Sequence, residues 1–189
     1  MRRCDWANGS DIDAKYHDTE WGVPVHDDRK LFEMLCLEGA QAGLSWTTIL
    51  RKRDGYLGAF QNFELDKVVT LTDADVETLV QNPDIVRHRL KIQSVIGNAK
   101  AVIEIQSEFG SFDAFIWSFV GGKPIINQWK KTEDVPTTTA ESDAMSKALK
   151  KRGFKFVGST ICYAYMQGVG MVNDHLVDCF RYKEVCGLK

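Results

Sequence analysis

Apolar residues recur along most of this chain at the three- and four-residue intervals of an α-helix. Leu31 and Leu35 share one such stripe with Glu38, and a longer periodic run extends from Ile85 to Ile103. No alternating pattern of useful length competes with these stripes. The sequence therefore predicts an all-α fold.

Small polar residues and glycines mark the ends of the predicted helices. Gly43 interrupts the first helix, and Ser45 is placed to cap a second one that runs towards Arg53. Thr72 is predicted to open a short helix that continues to Val80. The prolines all fall between predicted elements, as a helical fold requires: Pro24, Pro83, Pro124 and Pro136.

The second half of the chain continues the helical pattern. Ser111 is placed to cap a short aromatic helix, and residues 123–136 are predicted to form a loop. Helices over 142–152 and 159–167 follow, separated by a tight turn that begins at Gly153. No internal repeat, low-complexity tract or linker interrupts this order.

Length and composition predict a single domain over residues 1–189. Hydrophobic residues make up 44% and charged residues 26%, the balance of an ordinary globular protein. No apolar run approaches the length of a membrane span, and cysteines without paired spacing favour reduced thiols in the cytoplasm. A net charge of −2 gives no general attraction to nucleic acid, so DNA binding would need a local patch. Nothing indicates oligomerisation, and we expect a monomer.

Two cysteines and two histidines near the chain ends form a candidate metal site: Cys4, His17, His175 and Cys179. His175 and Cys179 are four positions apart, which on a helix places both side chains on one face. Two Cys with two His make the closed tetrahedral set that suits zinc. Such a site would join segments 1–30 and 170–189 into one subregion. Spacing alone leaves open that Cys4 is a free surface thiol and His175 an ordinary buried imidazole.

A basic cluster surrounds the predicted turn between the last two helices: Lys147, Lys150, Lys151, Arg152 and Lys155. Gly153 and Gly158 bracket this turn, where a backbone can approach a phosphate, and the N–H groups of the second helix could add to an anion site. These are the parts of a helix-hairpin-helix that binds the DNA backbone without reading its sequence. The alternative, which the charge cluster alone favours, is a solvated helix face that ends at a glycine.

Aromatic residues are concentrated in the first quarter of the chain: Trp6, Tyr16, Trp21 and Trp46. Such rings can hold a base extruded from DNA, since stacking contributes roughly 1–3 kcal/mol per base. Rings fill cores more often than they bind ligands, so a core beneath the N-terminal loop is the alternative. Glu38 bears on this choice, because a carboxylate on an apolar stripe costs free energy without a partner or a task. A structural Glu38 would accept N–H bonds at a cap or pair with an internal arginine.

Several blocks of the sequence are long and unusual in composition. They are Arg3–Trp6, Tyr16–Pro24, Leu31–Gly39, Gln41–Trp46, Arg87–Ile92, Ser146–Gly158 and Val172–His175. Together these blocks span nearly the full chain and resemble the DNA-3-methyladenine glycosylase I family. The resemblance implies an all-α fold similar to that of the helix-hairpin-helix DNA glycosylases, with a zinc site that joins the N- and C-terminal segments.

The resemblance also implies roles for particular residues. The four residues of the candidate metal site would hold one Zn²⁺, which is structural because four protein ligands leave no open position. Tyr16 and Trp46 would sandwich the base. Trp6 and Trp21 would close the pocket, and Glu38 would hydrogen-bond the base edge as the candidate catalytic residue.

The implied reaction is hydrolysis of the N-glycosidic bond between 3-methyladenine and deoxyribose in double-stranded DNA, which leaves an abasic site. The methylated base is cationic and already a good leaving group, and an ionised Glu38 among ring faces would favour it over a neutral base. Leu44, which follows Gly43, is the candidate wedge for the gap left in the duplex. The other candidate DNA contacts lie at the hairpin: Lys151, Gly153, Lys155 and Gly158. A zinc-containing module that binds damaged DNA without catalysis is the alternative function.

Two features depart from the wider superfamily that the resemblance implies. Many of its members place a catalytic Asp just after the second helix of the hairpin, where this chain has Asn173, with Asp174 displaced by one position. The hairpin also lacks the usual proline–glycine form. We therefore assign no catalytic role to Asp174, and the activation of the attacking water stays open. No lysine is obviously placed to form a Schiff base, so a lyase activity is not expected.

Overall fold

Helices account for most of the structure, a computed structural model that describes residues 1–188. They are α1 (Asp11–Thr19), α2 (Asp28–Gln41), α3 (Trp46–Ala59), α4 (Leu65–Val68), α5 (Asp73–Leu79), α6 (Arg89–Phe109), α7 (Phe112–Trp117), α8 (Ala140–Lys151), α9 (Ser159–Gly168) and α10 (Phe180–Cys186). Short 3₁₀ turns cover Asp5–Asn8, Gln61–Phe63, Ser118–Val120 and Thr132–Asp134. Across the described residues, none of the helices combines the length and the apolar character needed to cross a membrane.

The helix starts predicted at Ser45, Thr72 and Ser111 are confirmed by their hydrogen bonds. Ser45 and Ser111 each accept a hydrogen bond from the backbone N–H three residues further on. Thr72 forms a reciprocal capping box with Asp75. Each cap pairs a backbone donor that the first turn of a helix otherwise leaves unpaired.

Two other helices begin at residues that the sequence pattern did not mark. Helix α6 begins at Arg89 and not at Ile85, because the ring of His88 caps it. Ile85 is buried nevertheless, so its apolar character indicates burial and not helix. Helix α8 begins before Ser142, since Thr139 is the cap and Ser142 completes the capping box from inside the first turn.

The predicted loop over residues 123–136 contains a strand. Strand β1 (Ile125–Ile126) pairs in parallel with β2 (Val172–Asn173), with Ile125 opposite Val172. Two residues are too few to show an alternating pattern, and the partner strand lies far along the chain. The fold is therefore mostly helical, as predicted, with a minimal sheet that the pattern did not predict.

Helix α2 lies at the centre of the packing and carries the pocket described next. Every residue from Leu31 to Ala40 is buried, and α2 contacts α3, α6, α7 and α9. A helix enclosed on all sides is expected to be apolar all round, and only Glu33 and Glu38 interrupt this stretch. Glu33 accepts a hydrogen bond of 3.0 Å from Nε of Arg53, whereas Glu38 faces a cavity.

Candidate functional site

The predicted aromatic residues and Glu38 all line one cavity of about 280 Å³. Its lining residues are Trp6, Tyr16, Trp21, Glu38, Gln41, Trp46, Ala164 and Gln167. Ala164 and Gln167 belong to α9, for which the sequence predicted only a part in the hairpin turn. Ala164 and Gln167 are three residues apart and therefore share a face of α9, but nothing in their sequence indicates that this face meets Glu38.

The rings of the cavity contact one another at tilted angles. The Tyr16 and Trp46 ring centroids are 5.4 Å apart with 55° between the planes, and those of Trp6 and Trp21 are 5.1 Å apart at 73°. A flat base held between two rings needs about 7 Å between them, twice the usual carbon–carbon contact. Sandwiching a base between Tyr16 and Trp46 therefore requires one ring to turn or shift.

Two polar atoms at this cavity are buried without a hydrogen-bond partner among the described residues: the Tyr16 hydroxyl and Nε1 of Trp46. An unpaired buried donor costs roughly 1–3 kcal/mol, which a ligand with a suitable acceptor would recover. Burial raises the pKa of Tyr16 well above its usual value, so the phenol keeps its proton. Gly168 makes room for this hydroxyl, because a Cβ there would lie 3.0 Å from it.

Glu38 has neither of the structural roles considered above. It is 5% exposed and accepts no hydrogen bond from the described residues, and the nearby Arg53 is bound to Glu20 and Glu33 instead. Burial raises the pKa of Glu38 to about 8. A carboxyl group with this pKa is mostly protonated at neutral pH while no cation is bound, so the ionised Glu38 expected beside a cationic base depends on that base.

The four predicted metal ligands converge in a second site beside the cavity. All four are buried, and their ligand atoms lie within 4.8 Å of one another. Cys179 Sγ lies 3.4 Å from His17 Nε2 and 3.6 Å from His175 Nδ1, and Cys4 Sγ lies 3.7 Å from His175 Nδ1. Tetrahedral zinc at its usual bond lengths holds sulfur and nitrogen about 3.5 Å apart. Cys4 is 3% exposed, so the surface-thiol alternative is wrong.

Hydrogen bonds behind the two histidines set which ring nitrogen carries the proton. His175 Nε2 lies 3.0 Å from the carbonyl of Trp21, and His17 Nδ1 lies 2.8 Å from the Asp18 carboxylate. Because both partners are acceptors, each of these nitrogens donates, and the other nitrogen of each ring faces the sulfurs. A carboxylate or carbonyl acceptor behind each ring is typical of histidines that bind a metal. Arg3 in turn donates hydrogen bonds to Asp18. The donor set therefore fits a closed zinc site.

The spacing argument for His175 and Cys179 is wrong in its premise, although the two residues do meet. Helix α10 begins at Phe180 with Cys179 as its cap, so the pair does not share a helix. A turn brings them together, closed by the Cys179 N–H, which donates to the Leu176 carbonyl at 2.8 Å. Spacings of four residues suit such a turn as well as a helical face.

The backbone of the turn between α8 and α9 is accessible, so a DNA phosphate could approach it closely. A Cβ added at Gly153 or Gly158 would meet nothing within 4 Å. Asn98 of α6 holds the turn from below, since its side chain accepts from the Lys155 N–H at 2.9 Å and donates to the Lys155 carbonyl at 3.2 Å. Lys151 and Lys155 are exposed there.

Arg152, a member of the predicted basic cluster, has its guanidinium group bound within the protein and does not present a free charge to a phosphate. Its guanidinium group makes two hydrogen bonds to Glu108, of 2.7 and 2.9 Å, and lies over the ring of Phe109. The side chain therefore ties α8 to α6. The remaining exposed positive charges at the turn belong to lysines.

Comparison with known proteins decides the family. The methyladenine glycosylase family model matches residues 6–182. DNA-3-methyladenine glycosylase 1 of Escherichia coli (strain K12) is 53% identical over 182 residues, which cover 96% of this chain and 97% of that protein. The chain belongs to the methyladenine glycosylase family. It is therefore an enzyme that hydrolyses N-glycosyl bonds in DNA, and the non-catalytic alternative is set aside.

Solved structures of methyladenine glycosylases share this fold. A crystal structure of 3-methyladenine DNA glycosylase I has a TM-score of 0.93 at 53% identity, over 95% of this chain and 98% of that one. A Staphylococcus aureus structure, described as the structural basis of 3-methyladenine recognition, has a TM-score of 0.92 at 38% identity, over 95% and 96%. The helical arrangement around the cavity is thus the arrangement of the family.

The segment between α2 and α3 of this glycosylase presents the predicted wedge. Gly43 has a φ of +79°, which a residue with a side chain rarely adopts, and Leu44 is 39% exposed. Gln41 lines the cavity and also holds this segment, because its Nε2 donates to the Leu44 carbonyl. The wedge candidate therefore lies beside the cavity that would receive a base.

Neither Asn173 nor Asp174, the two residues compared above with a catalytic Asp, lines the described cavity of this glycosylase. Asn173 is fully buried, and its side chain donates to the Tyr182 carbonyl. Asp174 is 2% exposed, and its carboxylate accepts four hydrogen bonds. The donors are Asn127, Trp129, Tyr163 and Gln167. With its acceptor sites filled, Asp174 serves as a link between α9 and the β1 segment.

Proposed function

We propose that this glycosylase hydrolyses the N-glycosidic bond of 3-methyladenine in alkylated double-stranded DNA and leaves an abasic site. The observation that carries the proposal is a base-sized cavity in which four aromatic rings surround one buried carboxyl group. The similarity to 3-methyladenine DNA glycosylases at 53% identity supports the same substrate. The base reaches the cavity only when it is flipped out of the duplex.

The chemistry of the cavity favours a cationic base over a neutral one. The faces of aromatic rings attract cations, and the buried Glu38 has no cationic partner among residues 1–188, where the nearby Arg53 binds Glu20 and Glu33. A bound cation stabilises the carboxylate, lowers its pKa from about 8 and is itself held by the resulting charge. Neutral adenine gains none of this. Because the methylated base leaves as a neutral molecule, no strong general acid is needed.

The proposed enzyme is monofunctional. No lysine lines the described cavity, so no amine is placed to attack the sugar and form a Schiff base. Tyr16 and Trp46 stack on the base after a ring movement, and Trp6 and Trp21 close the far wall. Glu38 hydrogen-bonds the base edge.

We propose one structural Zn²⁺ held by Cys4, His17, His175 and Cys179. When bound it supplies a cross-link between the terminal segments, residues 1–30 and 170–189, within a single domain of residues 1–189. The segments also meet through backbone hydrogen bonds, such as that from Phe180 N–H to the Arg2 carbonyl at 3.0 Å. Four protein ligands leave no position for water, which argues against a hydrolytic metal.

The proposed DNA contacts lie on two segments. The turn of α8 and α9 acts as a helix-hairpin-helix, with Lys151 and Lys155 beside the open backbone at Gly153 and Gly158. Gly43 and Leu44 enter the duplex where the base has left. We propose a monomer that acts in the cytoplasm, where the alkylated DNA of a bacterium lies.

The test is release of 3-methyladenine from methylated duplex DNA by the native protein and by Glu38→Gln. We expect native release and a fall of roughly ten- to 100-fold in the variant, the loss expected for one hydrogen bond to a charged group. The control is Glu104→Gln, because Glu104 is exposed on α6. Absence of release by folded native protein would contradict the proposed function. Equal release by Glu38→Gln would contradict only the role of Glu38.

A further inference from the structure

Lys91 is a buried lysine that neither the cavity nor the candidate DNA surface explains. It is the third residue of α6 and is 9% exposed. A cation in the first turn of a helix lies at the positive end of that helix dipole, which is unfavourable. Burial also lowers the pKa of Lys91. The interaction that accounts for this position must therefore come from another element.

That element is the C-terminal end of α2. The ammonium group of Lys91 donates to the carbonyls of Ala40 at 2.8 Å and of Ala42 at 2.6 Å. The last carbonyls of a helix have no partner within it and lie at its negative end, so a cation is stabilising there. Lys91 thus closes α2 at the point where the chain leaves the helix.

The segment that follows this point is the wedge loop, defined here as residues 42–45. Lys91 holds the first residue of the loop through its carbonyl. Gln41 holds Leu44 twice, because the Leu44 N–H donates to the Gln41 carbonyl at 2.7 Å and Nε2 of Gln41 donates to the Leu44 carbonyl. Leu44 therefore projects from a loop that is fixed at its base by α6 and at its tip by α2.

We propose that Lys91 is a positioning residue for duplex opening, whose ammonium group fixes the wedge loop so that Leu44 enters the gap left by the flipped base. The proposal rests on the wedge role of Leu44 given under the proposed function. An inserted side chain must resist the tendency of the base pairs to restack, and a loop free to move would yield to it. Lys91 does not itself contact DNA, since both of its hydrogen bonds point into the protein.

This role differs from that of a phosphate-binding lysine in what it changes. Removal of a phosphate contact weakens DNA binding in a salt-dependent way. Removal of Lys91 leaves the charge facing DNA almost unchanged, so the salt dependence of DNA binding stays as in the native protein. The loss falls on the rate of base release from a duplex, and the affinity of the cavity for the free base is kept.

The experiment compares Lys91→Met, which keeps the apolar stem and removes the ammonium group, with Lys100→Met, an exposed lysine on the same helix. Release from duplex DNA and affinity for free 3-methyladenine are measured, the latter by tryptophan fluorescence. We expect duplex release to fall by about ten- to 100-fold in Lys91→Met, the scale of a misplacement of roughly 1 Å. Free-base affinity stays unchanged, and Lys100→Met alters neither.

A double variant with Leu44→Ala tests whether Lys91 acts through the wedge. We expect Lys91→Met to cause little further loss once Leu44 is absent. The same fold-loss in both backgrounds would overturn the proposal, and so would an equal loss of free-base affinity, which would show that Lys91 shapes the cavity through Ala40. If Lys91→Met does not fold, Lys91→Gln, which removes the positive charge and is one bond shorter than lysine, is used with the same criteria. Full duplex activity of Leu44→Ala alone would overturn the wedge role itself.

Discussion

At Glu38 the proposed function and the stability of the fold place opposite demands on one residue. Its carboxyl group is buried on the central helix without a hydrogen-bond partner in the described part of the chain, and burial raises its pKa to about 8. Glu33, on the same helix, is also buried but is bound by Arg53 and Lys30. The protein thus neutralises Glu33 with cations of its own, whereas we propose that Glu38 is paired by the bound base.

The first prediction at this scale concerns the stability of Glu38→Gln. Between the ordinary pKa of 4.5 and the folded value of about 8, the folded state holds a proton that the unfolded state has lost. Native stability therefore decreases as the pH rises through this window. We expect the free energy of unfolding of Glu38→Gln to exceed the native value by more at pH 8 than at pH 5. Urea unfolding at both pH values measures this, and an equal difference at both would contradict it.

The opposite direction of the two Glu38→Gln effects is itself informative. A substitution that raises stability and lowers base release identifies a residue kept for function. A substitution that lowers both would indicate that Glu38 has a structural partner. The activity and unfolding measurements on one variant therefore separate the two roles.

Among the helices, the turn between α8 and α9 is held to α6 by hydrogen bonds. Asn98 binds both backbone groups of Lys155, and Ser146 of α8 donates to the Val157 carbonyl at 2.6 Å. Many hairpins of this kind contain a proline–glycine pair in the turn, which this chain lacks. Here the hydrogen bonds from Asn98 and Ser146 fix the conformation of the turn instead. Tertiary hydrogen bonds can fix a turn that local sequence does not specify.

The prediction at this scale is the effect of Lys155→Met on DNA binding. If Lys155 contacts a phosphate, its removal weakens binding to lesion-containing and undamaged duplexes alike. The slope of log affinity against log salt then decreases by about 0.9, the value for one phosphate contact. Titration by fluorescence anisotropy over a range of salt measures this. Lys100→Met, an exposed lysine of α6 outside the proposed DNA contacts, serves as the control, and an unchanged slope would remove Lys155 from the interface.

At the scale of the whole molecule, the cysteine and histidine cluster is built into the wall of the cavity. His17 follows Tyr16 directly, and His175 is bonded to the carbonyl of Trp21. The ring of Trp6 lies 5.5 Å from that of His17. A change in the cluster is therefore expected to reach the rings that would hold the base.

The prediction at this scale is that the purified protein carries about one zinc ion per chain and loses stability without it. Removal by a strong chelator should lower the thermal midpoint by roughly 10 °C. In a protein of this size 1 kcal/mol corresponds to about 2–4 °C, so this shift represents a loss of about 2.5–5 kcal/mol of stability. Tryptophan fluorescence should change in parallel. Elemental analysis and thermal unfolding check both points. Cys186→Ser, which lies outside the cluster, should match the native protein, whereas Cys179→Ser should lose the zinc.

Sequence alone determined the features that depend on local spacing and on residue chemistry. The caps at Ser45, Thr72 and Ser111 follow from side chains that bond the adjacent backbone, so no other part of the chain is needed to predict them. The helical class follows from the period of the apolar residues. The sequence also predicted which cysteines and histidines form one cluster and which aromatic residues form another. The structure brings each cluster together.

Features that depend on residues far apart along the chain could not be predicted and are seen only in the three-dimensional structure. The pairing of β1 with β2, the cavity wall from α9 and the bonds from Lys91 to the end of α2 each join segments far apart along the chain. The pKa of Glu38 belongs to the same class, because burial by neighbouring helices sets it and not its own sequence context. Spacing along the chain placed Glu38 on a buried stripe, but only long-range packing determines which groups a buried polar side chain meets.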